Sequence, residues 1–136
     1  MDEPIDVLAL YLHLAHASQL RRQPQACDRF LVLSGVQASM LHMHRIAALC
    51  RSRVLAHNPH HLIHRWPTLT QALDDSDFLH FLKQLQRRYP LEKAERMLIQ
   101  LGIERGRERA TYFTDEEYAA SLLGTNLAAL DEQFGD

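Results

Sequence analysis

Apolar residues along this chain recur at the three- and four-residue spacing of helices, and no segment alternates over a strand's length between turn residues. Pro4, well suited to a first helical position, opens a segment to about Arg22 in which Ile5, Val7, Leu8, Leu10, Tyr11, Leu12, Leu14 and Ala15 cover most of the circumference. Only Asp6, His13 and His16 form a polar stripe. A helix this apolar is either central to the core or half of an oligomer interface, because a surface helix shows a wider polar face. Pro24 opens the next run, which stays apolar from Phe30 to Leu55 with no proline and one glycine. Residues 24–57 read either as one very long helix or as a hairpin. The hairpin is preferred, turning near "LHMH" at 41–44, because Phe30, Leu31, Leu33 and Val36 serve a first arm while Ile46, Leu49, Cys50 and Val54 recur in a second. Ser34, Gly35, Ala38 and Ser39 give the first arm a small-residue face that a second helix can approach closely.

Punctuation is clearer in the second half. Asn58 before Pro59 predicts a helix start, with Asn as cap and Pro first in the helix, so that His60, His61, Leu62, Ile63, His64 and Trp66 share a short helix ended by Pro67. "TLTQAL" predicts one turn of helix. "DSDFLHFLKQLQRRY" predicts a helix capped by Asp75 or Ser76, with Phe78, Leu79, Phe81, Leu82 and Leu85 as its apolar stripe. Pro90 starts "LEKAERMLIQL", which Gly102 ends in the left-handed conformation with Ile103 folding back onto Leu98. "ERGRERA" is a charged connector. In "FTDEEY", Thr114 is the N-cap, Glu117 completes a capping box, and Phe113 with Tyr118 makes a hydrophobic staple. Gly124 closes that helix, and "TNLAALDEQF" adds a last one within a C-terminal stretch of ten or so residues expected to fray. The expected fold is all-α, a single-domain stack or bundle of six to eight helices over residues 1–136.

The stretch "LVLSGVQASMLHMHRIAALCRSRVLAHNPHH", within residues of about 28–61, resembles one degenerate tetratricopeptide repeat. Gly35 falls at the small position of that repeat's first helix, Ala47 at that of its second, and "VLAHNPHH" matches the closing Asn/Asp-Pro turn. Arg51 stands where the repeat carries an aromatic, and neither Gly nor Asp marks the turn between the helices. The resemblance implies a right-handed helical stack and, by analogy, peptide or protein binding. Two antiparallel helices that need small residues at their crossing read the same way.

Composition narrows the classes. The chain is 46% hydrophobic and 24% charged, with a formal charge of −2, so it has enough apolar residues for a core and no global pull toward nucleic acid or anionic membranes. Cys27 and Cys50 are the only cysteines, too few for a disulfide scaffold and not in a C-x-x-C pair, which points to reduced thiols and a cytoplasmic location. "IDVLALYLHLAHA" is apolar like a secretion signal, but acidic "MDEP" precedes it, His13 interrupts it, and it is too short to span a bilayer.

Four of the nine histidines, His57, His60, His61 and His64, fall within eight positions. With His60 and His64 one turn apart, and further ligands from the following Asp residues or Cys50, they are the candidate site for a divalent metal such as zinc. A solvated polar face is the plain alternative, and H-E-x-x-H or Cys-His finger spacing is missing. His13 and His16 are readable as hydrogen-bonded histidines beside Asp6. Charge is unevenly placed: Arg29, Arg45, Arg51, Arg53 and Arg65 occupy a stretch without acids from 29 to 73, and six acids without a base follow Ala110. Arg51, Arg53, Arg87 and Arg88 are thus a candidate nucleic-acid surface, although the acidic tail is equally placed to neutralise the basic middle. No nucleophile elbow is present, and "GIERG" at Gly102 to Gly106 lacks the Lys-Ser/Thr ending of a phosphate loop. The expected function is a non-enzymatic protein-interaction or self-association module, with a protein partner or a homo-oligomer, no cofactor and no membrane; the alternatives are a metal-binding protein or metal-dependent enzyme built on the histidine cluster, and nucleic-acid binding through the Arg-rich middle.

Overall fold

The computed structural model describes residues 3–104 and 108–135. It contains eight α-helices and, among the described residues, no strand: α1 (Pro4–Leu20), α2 (Pro24–Met40), α3 (His44–His57), α4 (Leu69–Ala72), α5 (Ser76–Arg88), α6 (Leu91–Gln100), α7 (Asp115–Leu122) and α8 (Leu127–Phe134). Short 3₁₀ turns lie at Leu62–Arg65 and Glu108–Thr111. The centre of the charged connector, Arg105, Gly106 and Arg107, falls outside the described residues, as do Met1, Asp2 and Asp136.

The all-round apolarity of α1 has a direct structural cause. Leu8, Leu10, Leu12 and Leu14 are all essentially buried, because α2, α6 and α7 pack around this helix. Tyr11 donates its hydroxyl to Tyr89 O at 2.9 Å and stacks near Phe30, tying α1 to the α5–α6 corner.

Residues 24–57 form a hairpin, α2 and α3, joined through Leu41–Met43. No glycine makes that turn. His42 takes the left-handed conformation at φ 61°, and the Met43 amide donates to Ala38 O at 2.8 Å, the cross-turn bond that closes a Schellman motif. Arg22 does the same between α1 and α2, at φ 57° with Gln23 N donating to Ser18 O. A left-handed residue with a β-carbon costs about 1 kcal/mol, offset here by the helix carbonyls it satisfies. At the small-residue face, a β-carbon on Gly35 would run into the Leu69 side chain of α4 and lie 3.2 Å from Cys50 Cβ of α3. Gly35 therefore sets the spacing of three elements.

The predicted helix start at Asn58–Pro59 does not form. Asn58 instead ends α3, its side chain accepts from the His60 amide at 3.1 Å, and the chain turns through Pro59. His61 is the cap: its Nδ1 accepts from the Ile63 amide at 3.2 Å, and only the four residues Leu62–Arg65 follow as a 3₁₀ turn. The reason is in the apolar residues. Ile63 and Trp66 are drawn into the core, and Trp66 Nε1 donates to Asp75 Oδ2 at 3.0 Å. Two later expectations hold: the cap of α5 by Asp75, and the Gly102 ending of α6, where Ile103 N donates to Leu98 O; α4 is capped by Thr68, whose hydroxyl accepts from the Gln71 amide. At α7, Thr114 accepts from the Glu117 amide, but the staple is absent. Phe113 is 95% exposed, and Tyr112 takes its place with its ring 5.8 Å from that of Tyr118. One arginine of the basic middle is met by the acidic C-terminal region within the molecule: Arg45 on α3 pairs with Glu116 of α7 and with Asp131 of α8.

Candidate functional site

The fold separates the four clustered histidines. His57, the last residue of α3, has its Nδ1 2.6 Å from Oδ1 of Asp28, a buried carboxylate on α2. His61 packs its ring edge-on to Phe81, and burial pushes its pKa below the ordinary 6.5, against the opposing pull of Asp28. Its Nδ1 accepts an amide hydrogen bond, so this ring is neutral with its proton on Nε2. His60 and His64 are exposed. The expected common helical face of His60, His61 and His64 is not formed, because a 3₁₀ turn beginning at Leu62 replaces the helix. Among the described residues, no group of three or more His, Cys, Asp or Glu side chains is arranged to hold a metal ion.

The arginines are divided as well. Arg51 Nε donates to Trp66 O at 3.0 Å, pinning the segment after α3 onto that helix. Arg53 Nη2 donates to Leu123 O at 2.6 Å, satisfying a carbonyl at the end of α7. Arg87 and Arg88 are exposed in the last turn of α5, with Arg88 Nε 3.2 Å from the Tyr89 hydroxyl.

What the fold brings together instead is a cleft of about 580 Å³ between α1, α3 and the end of α7. His13 and His16, the polar stripe of α1, face it with Arg53 and His57 of α3, Gln19 and Ser121. Asp28 stands behind His57 and fixes that ring's orientation. Under the cleft lie the two thiols. Burial pushes Cys50 up to about 12 and, with the nearby Asp28 carboxylate, Cys27 up to about 11, the Arg53 charge opposing both. Neither thiol is a nucleophile at neutral pH.

A second concavity, of about 270 Å³, has an apolar floor, with Gln37 and Gln86 also in its lining. Tyr11 of α1, Leu33 and Val36 of α2 and Leu82 of α5 form its floor, while Met40 and Leu91 stand at its edge, 55% and 38% exposed.

The link between His13, His16 and His57 was invisible in sequence, since more than forty residues separate them and their shared position depends on how α1 packs against α3 and α7. The spacing of His13 and His16 on one face of an apolar helix was the only available signal. Comparison of the chain with family models, with curated proteins and with solved structures gives no match in any of the three.

Proposed function

We propose that this protein is a non-enzymatic interaction module that associates with a second copy of itself through the apolar groove between α1, α2 and the α5–α6 corner. The observation that carries this reading is the pairing of a hole with two knobs on one surface: a floor of Leu33, Val36 and Leu82 beside the exposed Met40 and Leu91. A twofold contact uses the same patch on both molecules, so a surface that offers both shapes is self-complementary. Burying Met40 and Leu91 on each copy removes apolar side chains from water that the isolated chain leaves exposed. The hairpin that resembles a tetratricopeptide repeat supplies Leu33, Val36 and Met40 from its first arm, which agrees with a binding role by analogy. Two buried, unpaired cysteines with raised pKa fit a non-catalytic protein in a reducing compartment such as the cytoplasm.

Sedimentation and light scattering over a wide concentration range test the reading. The chain is expected to dimerise, and Met40→Glu with Leu91→Glu, both at exposed positions, is expected to give a monomer that melts like the parent. A parent that stays monomeric at all concentrations, or a double variant that still dimerises, overturns it.

A further inference from the structure

We propose that the histidine-lined cleft between α1, α3 and α7 binds the oxyanion, carboxylate or phosphate, of a small organic acid. Its volume of about 580 Å³ lies in the range of small-molecule sites, and its lining combines an apolar wall with convergent polar groups. Leu31 and Leu122 supply that wall, suited to the body of an organic ligand.

The polar groups all favour negative charge. From α1 come His13 and His16 and from α3 come Arg53 and His57, while the Ser121 hydroxyl of α7 is spent on Tyr118 O at 2.6 Å; no Asp or Glu belongs to the lining. The one carboxylate close by, Asp28 of α2, is already engaged by His57 Nδ1 at 2.6 Å and is only 10% exposed at its side chain, so it orients the imidazole from behind and does not itself line the cleft. That bond leaves Nε2 as the free nitrogen of His57. Arg53 is likewise held in place by a single bond, from Nη2 to Leu123 O at 2.6 Å, and its remaining donors have no protein acceptor among the described residues. A guanidinium anchored at one edge with donors to spare is a preorganised oxyanion receptor, because little side-chain entropy remains to be lost on binding. Nothing in this reading uses the apolar groove, so the two sites stand or fall separately.

The test is titration of the full chain with inorganic phosphate and, separately, with hexanoate, followed through the imidazole resonances by NMR. Saturable shifts at His16 and His57, with His60, His64 and His80 unmoved, are expected for at least one probe. Saturation by phosphate alone assigns a phosphate ligand, and saturation by hexanoate alone assigns a carboxylate on an alkyl body. His16→Glu, at an exposed position, is expected to weaken binding by about tenfold or more by placing a carboxylate at the mouth, while His80→Glu on α5 leaves it unchanged. Absence of saturation with both probes, shifts spread equally over the exposed histidines, or unaltered affinity in a folded His16→Glu chain would overturn the proposal.

Discussion

Adding one methyl group at Gly35 should destabilise this protein, and should stop doing so once Leu69 is shortened. In the native packing a β-carbon at Gly35 collides with the Leu69 side chain and stands 3.2 Å from Cys50 Cβ. Overpacking of that kind costs about 1–3 kcal/mol, partly offset by the roughly 1 kcal/mol that alanine gains over glycine inside a helix, so Gly35→Ala is expected to cost up to about 2 kcal/mol net. Leu69→Ala removes three buried carbons from a side chain only 2% exposed, a transfer loss of about 2.4 kcal/mol at roughly 0.8 per carbon. Its cavity term should be small, because Leu69 lines an open cleft of about 480 Å³ with Ala47, Arg51 and Leu55, and water can enter the space it leaves. In the Leu69→Ala background the main obstacle to a β-carbon at position 35 is gone, so the second substitution should be neutral or stabilising, a coupling of about 1–2 kcal/mol. Urea unfolding read by the single tryptophan, Trp66, and by far-ultraviolet circular dichroism measures all four corners of the cycle. Additive costs, or a Gly35→Ala chain as stable as the parent, would refute the claim that this glycine sets the spacing of α2, α3 and α4.

Three other outcomes follow from particular side chains. His61 has a lowered pKa in the folded chain, so its contribution is fully present above the ordinary value of 6.5 and is lost as pH falls from there through the folded value. His61→Asn, which keeps a capping acceptor and does not titrate, should flatten the decline of melting temperature with acidification below pH 6.5, and an unchanged slope would contradict the assignment. Cys27 and Cys50, 1% and 0% exposed, should resist a thiol-specific disulfide reagent in the native state and react only as fast as the chain opens, which rapid labelling of the folded protein at neutral pH would disprove. Phe113→Ser should change stability by no more than about 0.5 kcal/mol, since the residue is 95% exposed, whereas Tyr112→Ala should cost more; denaturant melts in the reverse order would restore the staple that the sequence suggested.

Much of the helix layout was legible because it rests on local chemistry. Pro4 and Pro24 begin helices, Asp75 and Thr114 cap them, and Gly102 and Gly124 end them at positive φ, all through features confined to a few residues. Misreadings came where local signals competed with burial. Asn58–Pro59 carries a strong start signal, yet the core's demand for Ile63 and Trp66 pulls the chain into a 3₁₀ turn and moves the cap to His61. Phe113 and Tyr112 are adjacent aromatics, and only the packing against Tyr118 selects the second. The turns near Arg22 and His42 were placed by Pro24 and by the change of apolar pattern at 41–44, but which residue takes the left-handed position went unmarked because neither is a glycine.

By itself, then, the sequence determined the class of fold and the order of its helices, since periodicity and caps are properties of short stretches. The candidate sites belong to the tertiary structure. Four histidines close in sequence part company in the turn after α3, while His13 and His16 meet His57 and Arg53 because α1 and α3 both pack on α2 and α7 touches each of them. Convergence of distant side chains follows from which apolar faces bury one another, and sequence spacing carries no record of that choice.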